Sequence, residues 1–159
     1  MNKAPSVVRM SRILCAVDFS ENSREAVRQA CDLAKKFEAE IHLLHVLEPW
    51  PPAASVTSEA YPMYHDYVLQ AHQQAEYSLE QLPPADQAPA KVVRATRSGH
   101  VEREIVKYAE EHDVDLLVIG THGRTGIAHW FMGSVAEKVV RFAHCPVLVV
   151  RPREPKPAA

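Results

Sequence analysis

Asp115-Leu116-Leu117-Val118-Ile119-Gly120-Thr121-His122-Gly123-Arg124-Thr125-Gly126 sets four consecutive apolar residues directly against a glycine-rich loop. A run this short and apolar throughout predicts a strand covered on both faces. Nine residues separate Gly123 from Gly133-Ser134, after which Val135, Ala136, Val139, Val140 and Ala143 recur at helical spacing. The strand therefore feeds a loop, and the loop feeds a helix start.

The same switch of period repeats outward from this stretch. Ile13-Leu14-Cys15-Ala16-Val17 is a second buried-strand run, ending at Asp18. Ser20 can cap the following helix, with Glu21 against its positive end and Ala26, Ala30, Leu33, Ala34 and Phe37 along one stripe. Ile41 to Leu47 reads as a strand. After the connection from Pro49 to Pro62, Val68, His72, Ala75, Leu79 and Leu82 stripe a helix that Pro83-Pro84 stops. Lys91 to Thr96 reads as a strand, and Val101, Ile105, Tyr108, Ala109 and His112 as the buried stripe of a helix. Val147-Leu148-Val149-Val150 is the last strand, begun by Pro146. Strict β-α alternation with two-sided apolar strands predicts an α/β domain with a five-stranded parallel sheet, helices on both faces and right-handed crossovers. Ligands bind such folds beyond the carboxyl ends of the strands. That rule selects the residues after Val17, Val46 and Ile119.

Composition narrows the class. The chain has 159 residues, 47% hydrophobic and 24% charged, with a net charge of −2. One domain is expected, over 11–151, with a short extension at 1–10 and a flexible proline-bearing tail at 152–159. The charge balance offers no basic stripe for nucleic acid and no polybasic membrane anchor. Met1 to Ser6 has no apolar core of signal-peptide length, and no run approaches the roughly 18 apolar residues of a membrane span. A cytoplasmic protein is expected. The three cysteines, Cys15, Cys31 and Cys145, are odd in number and widely spaced, so reduced, packed thiols are expected.

The glycine loop carries the candidate chemistry. Glycines leaving a strand turn tightly and approach a ligand without a Cβ in the way. Gly133-Ser134 opens a helix, whose unpaired N–H groups and dipole favour an anion. No Gly-x-x-x-x-Gly-Lys-Ser/Thr occurs, and the spacing Gly120-x-x-Gly123-x-x-Gly126 is not the dinucleotide fingerprint. Spacing alone leaves two alternatives open, a phosphate cradle and a structural turn.

Gly120-x2-Gly123-x9-Gly133-Ser134 resembles the ATP-binding signature of the universal stress protein family. So do Val17-Asp18-Phe19-Ser20, His45-Val46, Asp115 to Ile119, Ser134 to Val140 and Cys145 to Val150. The resemblance implies a Rossmann-like fold with strand order 3-2-1-4-5. It implies that Ala16, Val17 and Asp18 flank an adenosine, with Asp18 accepting from ribose hydroxyls. Val46 would offer main-chain groups to the adenine edge, and Gly120 would lie against the ribose. Gly123, Gly133, Ser134 and Val135 would hold the phosphates of ATP, bridged by Mg²⁺. It further implies a homodimer through the edge strand Val147, Leu148, Val149 and Val150.

Other residues are weighed against these. Asp18 could instead serve as a helix cap beside Ser20 and Ser23. His42 and His45 fall on opposite strand faces, and no His-Glu-x-x-His occurs among the nine histidines, so no dedicated metal site is expected. His72 and His112 read as packed or boundary residues. His122 and Arg124 could reach a polyphosphate or lie solvated in the loop. Tyr61 and Tyr64 could close over an adenine, packing onto the sheet being the ordinary alternative; Trp130 and Phe131 read as loop anchors. The leading function is a nucleotide-binding stress-response or signalling regulator with little turnover. The alternatives are a slow Mg²⁺-dependent ATP hydrolase or phosphotransferase, and a flavin-binding electron-transfer domain.

Overall fold

A computed structural model describes residues 9–48, 51–121 and 132–151. Five strands and four long helices alternate along the chain: β1 (Arg12–Ala16), α1 (Glu21–Phe37), β2 (Glu40–Leu47), α2 (Tyr61–Glu80), β3 (Val92–Ser98), α3 (Val101–Glu111), β4 (Leu116–Gly120), α4 (Ser134–Phe142) and β5 (Val147–Val150). The strands form one sheet in the order β3-β2-β1-β4-β5, every pair parallel. This is the architecture expected from the alternating periods.

Two-sided burial explains the apolar runs. Ile13, Cys15, Ile41, Leu43 and Val118 pack with Ala26, Ala30, Cys31 and Leu79 on the face covered by α1 and α2. Leu14, Leu44, Leu117 and Ile119 pack with Ile105, Tyr108, Ala136 and Val139 on the face covered by α3 and α4. Strand residues alternate between these two cores because successive Cβ atoms point to opposite faces. Burial decides the strand assignment here more than propensity does.

Local chemistry sets the ends. Ser20 is the N-cap of α1, its side chain accepting from the Ser23 amide at 3.2 Å, as expected. The Arg94 side chain donates to Leu79 O in the last turn of α2 and to Leu82 O just beyond it. Several boundaries differ from expectation: β1 starts at Arg12, β2 at Glu40, and β3 runs over Val92–Ser98 rather than Lys91 to Thr96. Pro62 is not part of the connection but stands in the first turn of α2, which starts at Tyr61; a ring without an N–H costs nothing there. β1 ends at Ala16 rather than Val17, because the chain leaves the sheet through a left-handed residue, Phe19, at φ 65°. Phe37 and Val140, assigned to buried stripes, lie at the boundary, 39% and 43% exposed. Among the described residues no helix is long and apolar enough to cross a membrane.

Candidate functional site

The exit of β1 is a closed turn. Val17 N still donates to Leu44 O at 2.8 Å. Its carbonyl lies 2.7 Å from Nδ1 of buried His45. Asp18 Oδ1 then accepts from both the amide and the hydroxyl of Ser20, at 3.0 and 2.6 Å. The capping alternative for Asp18 resolves into a division of labour: Ser20 caps α1, and Asp18 orients Ser20.

Two neighbouring strands bring their ends to the same place. Ala16 pairs with Leu44, so Val46, buried on β2, lies two residues beyond the last rung, level with Asp18. Cys15 pairs with Val118, so Gly120 on β4 lies level with Val17, one residue short of Val46. Gly120 has a reason that its spacing did not reveal. A Cβ there would stand 3.1 Å from the Asn22 carbonyl oxygen in α1, so the missing side chain lets helix backbone approach the sheet. The tight-turn explanation does not apply at this position, because Gly120 is still a strand residue paired with Val150.

Buried Thr121 ties the fourth crossover to this edge. Its amide donates to Val150 O at 2.9 Å, and its carbonyl accepts from Gly133 N at 2.7 Å. Whatever path the chain takes between them, α4 therefore begins against the carboxyl end of β4. Gly133 is the N-cap of α4 and makes no side-chain capping bond. Ser134 is exposed and Val135 half-buried in the first turn. The opening amides of an α-helix have no partner within the helix, and the dipole there is positive. The first turn of α4 thus presents donors and partial positive charge to an anion. Of the expected site residues, Ala16, Val17, Asp18, Val46, Gly120, Gly133, Ser134 and Val135 occupy this one edge. Gly123, His122, Arg124, Trp130 and Phe131 lie outside the described residues, as do the segments 1–8 and 152–159.

The remaining candidates separate cleanly. His42 faces α3, where Nδ1 is 2.9 Å from the Tyr108 hydroxyl and Nε2 is 2.7 Å from Glu40. Burial lowers its pKa despite the Glu40 carboxylate. Glu40 is itself held low, first by its hydrogen bond with Lys91. His45 faces the other side, so the two rings do point apart. His112 stacks on Tyr108 at 3.9 Å, and His72 Nε2 lies 2.7 Å from Ser98 Oγ. Tyr61 does not pack onto the sheet; it is 52% exposed, with its ring 6.4 Å from that of Tyr64. Cys15 and Cys31 are buried free thiols and Cys145 is half-buried; burial pushes Cys31 up to about 11. Among the described residues no group of three His, Cys, Asp or Glu is arranged to hold a metal. His45 entered the sequence reading only through the family resemblance and the metal question, Phe19 only through the resemblance, and Thr121 only as part of the glycine loop; none was given the contacts at this edge that the structure shows.

Known proteins share both sequence and fold. Universal stress protein MJ0531 of Methanocaldococcus jannaschii is 33% identical over 140 residues, 88% of this chain and 81% of its own. YxiE of Bacillus subtilis is 34% identical over 146 residues, 89% and 99%. The solved structure of hypothetical protein MJ0577 matches with TM-score 0.80 at 27% identity, covering 93% of this chain and 100% of that one. Two structures share the fold at lower identity. A universal stress protein in complex with cAMP has TM-score 0.60 and 23% identity over 90% and 98% of the chains. One from Archaeoglobus fulgidus in complex with dAMP has TM-score 0.59 and 21% identity over 91% and 99%. The universal stress protein family model matches residues 10–151, and with relatives above 30% identity over most of its length, this chain belongs to the universal stress protein family.

Proposed function

We propose that this chain binds ATP at the carboxyl edge of its sheet and acts as a nucleotide-dependent regulator. The observation that carries the reading is the bond from Gly133 N to Thr121 O, which brings an uncapped helix start to the edge shared by β1, β2 and β4. Phosphates suit that start on electrostatic grounds alone. Two fold relatives are complexes with adenine nucleotides, cAMP and dAMP, which supports the same ligand class. In this scheme Ala16, Val17 and Asp18 flank the adenosine, Asp18 accepts from ribose hydroxyls, and Val46 offers its peptide to the adenine edge. Gly120 borders the ribose, while Gly123, Gly133, Ser134 and Val135 hold the phosphates. Mg²⁺, when bound, would screen polyphosphate charge; Ser134, in the first turn of α4, is the residue of the phosphate set with a side-chain oxygen.

Amides and one serine contact bound and reacting phosphates about equally. Uniform binding of that kind raises affinity without lowering the chemical barrier. Fast transfer also needs an in-line nucleophile and strong charge stabilisation. Turnover is therefore slow, below about 1 s⁻¹ in a single-turnover assay. We further infer a homodimer through β5, the last strand of the sheet, whose outer edge would otherwise stay unpaired.

The test is direct. Purified protein is denatured and any released nucleotide identified by mass spectrometry, and the thermal midpoint is measured with and without millimolar Mg-ATP. Released adenine nucleotide or a rise in midpoint supports the reading. Neither one, in folded protein, overturns it.

A further inference from the structure

The exit of β1 depends on one side chain from the neighbouring strand. Even-numbered residues of β2 direct their main-chain groups at β1: Glu40 N donates to Ser11 O, and Leu44 O accepts from Val17 N. The odd-numbered set serves β3, as in Ile41 N to Lys91 O and Gly99 N to Leu47 O. His45 belongs to the odd set, yet its ring reaches back to β1 and meets Val17 O at 2.7 Å. A carbonyl only accepts, so Nδ1 carries the proton. Neutral imidazole in water favours the other tautomer, so this contact selects the minority form.

The same ring has a second task. Its centroid lies 4.6 Å from that of Phe19, the residue at φ 65°. A bulky residue takes that conformation only where its surroundings impose it. Asp18 stands between the anchored carbonyl and the anchored ring, with Oδ1 turned onto Ser20. Rotating the Val17 peptide or releasing Phe19 would swing the Asp18 carboxylate away from the edge where β1, β2 and β4 end.

We propose that His45 is a positioning residue for the nucleotide site, its Nδ1–H anchoring the Val17 carbonyl and its ring backing Phe19 so that Asp18 faces the crevice. The proposal rests on the nucleotide reading above, and His45 acts through Val17, Asp18 and Phe19. Two variants separate positioning from packing. Asparagine places an amide N–H where Nδ1 stands, whereas glutamine moves the donor out to the place of Nε2. His45→Gln is expected to shift the Ser20 amide resonance of unliganded protein and to weaken ATP binding about tenfold. His45→Asn restores the N–H but not the ring behind Phe19, so its Ser20 resonance is expected to lie nearer the parent's than that of His45→Gln and its affinity to fall no more than about threefold. His45→Gln that binds ATP like the parent, or two variants losing affinity alike, overturns the proposal. Should neither variant fold, the parent decides: nitrogen-15 shifts of its imidazoles must show His45 as Nδ1–H, and an Nε2–H ring overturns the proposal. A parent that binds no ATP overturns the nucleotide reading, and the Ser20 resonance and the tautomer then still decide whether His45 holds the turn.

Discussion

The two ends of the sheet carry opposite electrostatic tasks. At the amino end a cavity of about 780 Å³ opens beside Arg12, Lys35, Glu40 and Lys91. Its charges are largely spoken for. Glu40 takes Lys91 and His42, Lys35 reaches Asp86 O, and Arg12 reaches His112 O. Asp115 Oδ2 accepts from the amides of Ser11 and Arg12 at 2.7 and 2.9 Å. At the carboxyl end the described residues form no comparable basin of paired charge, yet α4 starts there with no side-chain cap. The difference follows from chain direction. In a β-α-β unit each helix begins near the carboxyl end of the strand before it and finishes near the amino end of the next. Donors and positive dipole therefore collect at one edge; carbonyls, and cations such as Lys35 and Lys36 in the last turn of α1, collect at the other. On the proposed reading, the donors of a helix start, rather than room, decide where an anion binds.

The largest test of this contrast sets one residue from each end side by side. Gly133→Asp puts a carboxylate at the helix start, and ATP affinity measured by calorimetry should fall by roughly a hundredfold or more while circular dichroism stays unchanged. Lys91→Ala at the amino end should leave affinity within about twofold. The reverse outcome would move the ligand to the other edge.

A stability measurement sharpens the assignment of Gly120. Gly120→Val pushes a branched side chain toward the Asn22 backbone, 3.1 Å from the Cβ position. Overpacking of this kind costs about 1–3 kcal/mol, read from denaturant unfolding. An unchanged midpoint would mean that the start of α1 yields freely and that Gly120 serves another purpose.

Assembly gives a third outcome. Leu148 is the most outward side chain to test on β5, 37% exposed, whereas Val147 and Val149 pack onto the core beneath α3 and α4. Leu148→Arg should reduce the mass in solution from two chains to one without unfolding the domain. A parent already monomeric at micromolar concentration would refute the edge-strand dimer.

The smallest expected effect belongs to the amino-end network and concerns pH. Folding lowers the His42 pKa by burial, while the unfolded imidazole keeps its ordinary value of about 6.5. Above that value both states are neutral at this site. As pH falls below it, only the unfolded chain takes the proton, so stability declines until the lowered folded value is passed. Glu40 adds stability that is present above its unfolded value and lost as pH falls through its lowered folded one. The thermal midpoint should therefore drop between pH 7.5 and 5.5, and His42→Gln should flatten the slope. An equally steep slope in the variant would place the titration on other histidines.

Much of this was legible in residue order. Four apolar residues ahead of Gly120, and a similar run at Ile13, announce strands buried on both sides, whereas the run at Val147 forms an edge strand with Leu148 37% exposed. Ser20 announces its helix, because an N-cap bond spans three residues and needs no tertiary partner. Alternation then demands parallel pairing, and Gly133-Ser134 marks the start of α4, a helix start that an anion would suit. The strand order came with the resemblance, since periodicity does not say which strands are neighbours.

What the sequence determined by itself was thus the set of elements, the two-sided burial of β1, β2 and β4, and the positions along the chain where those strands end. Tertiary structure alone decided how that edge is held. His45 reaches Val17 across 28 positions, Asn22 explains Gly120 from another crossover, and Thr121 receives Gly133 after a loop. Tyr61 stays exposed although aromatic, because α2 lies on the sheet through Ala75 and Leu79 instead. Each of these depends on distance between residues far apart in the chain. Hydrophobic period and capping chemistry are local quantities; a carbonyl 2.7 Å from an imidazole exists only once the sheet has closed.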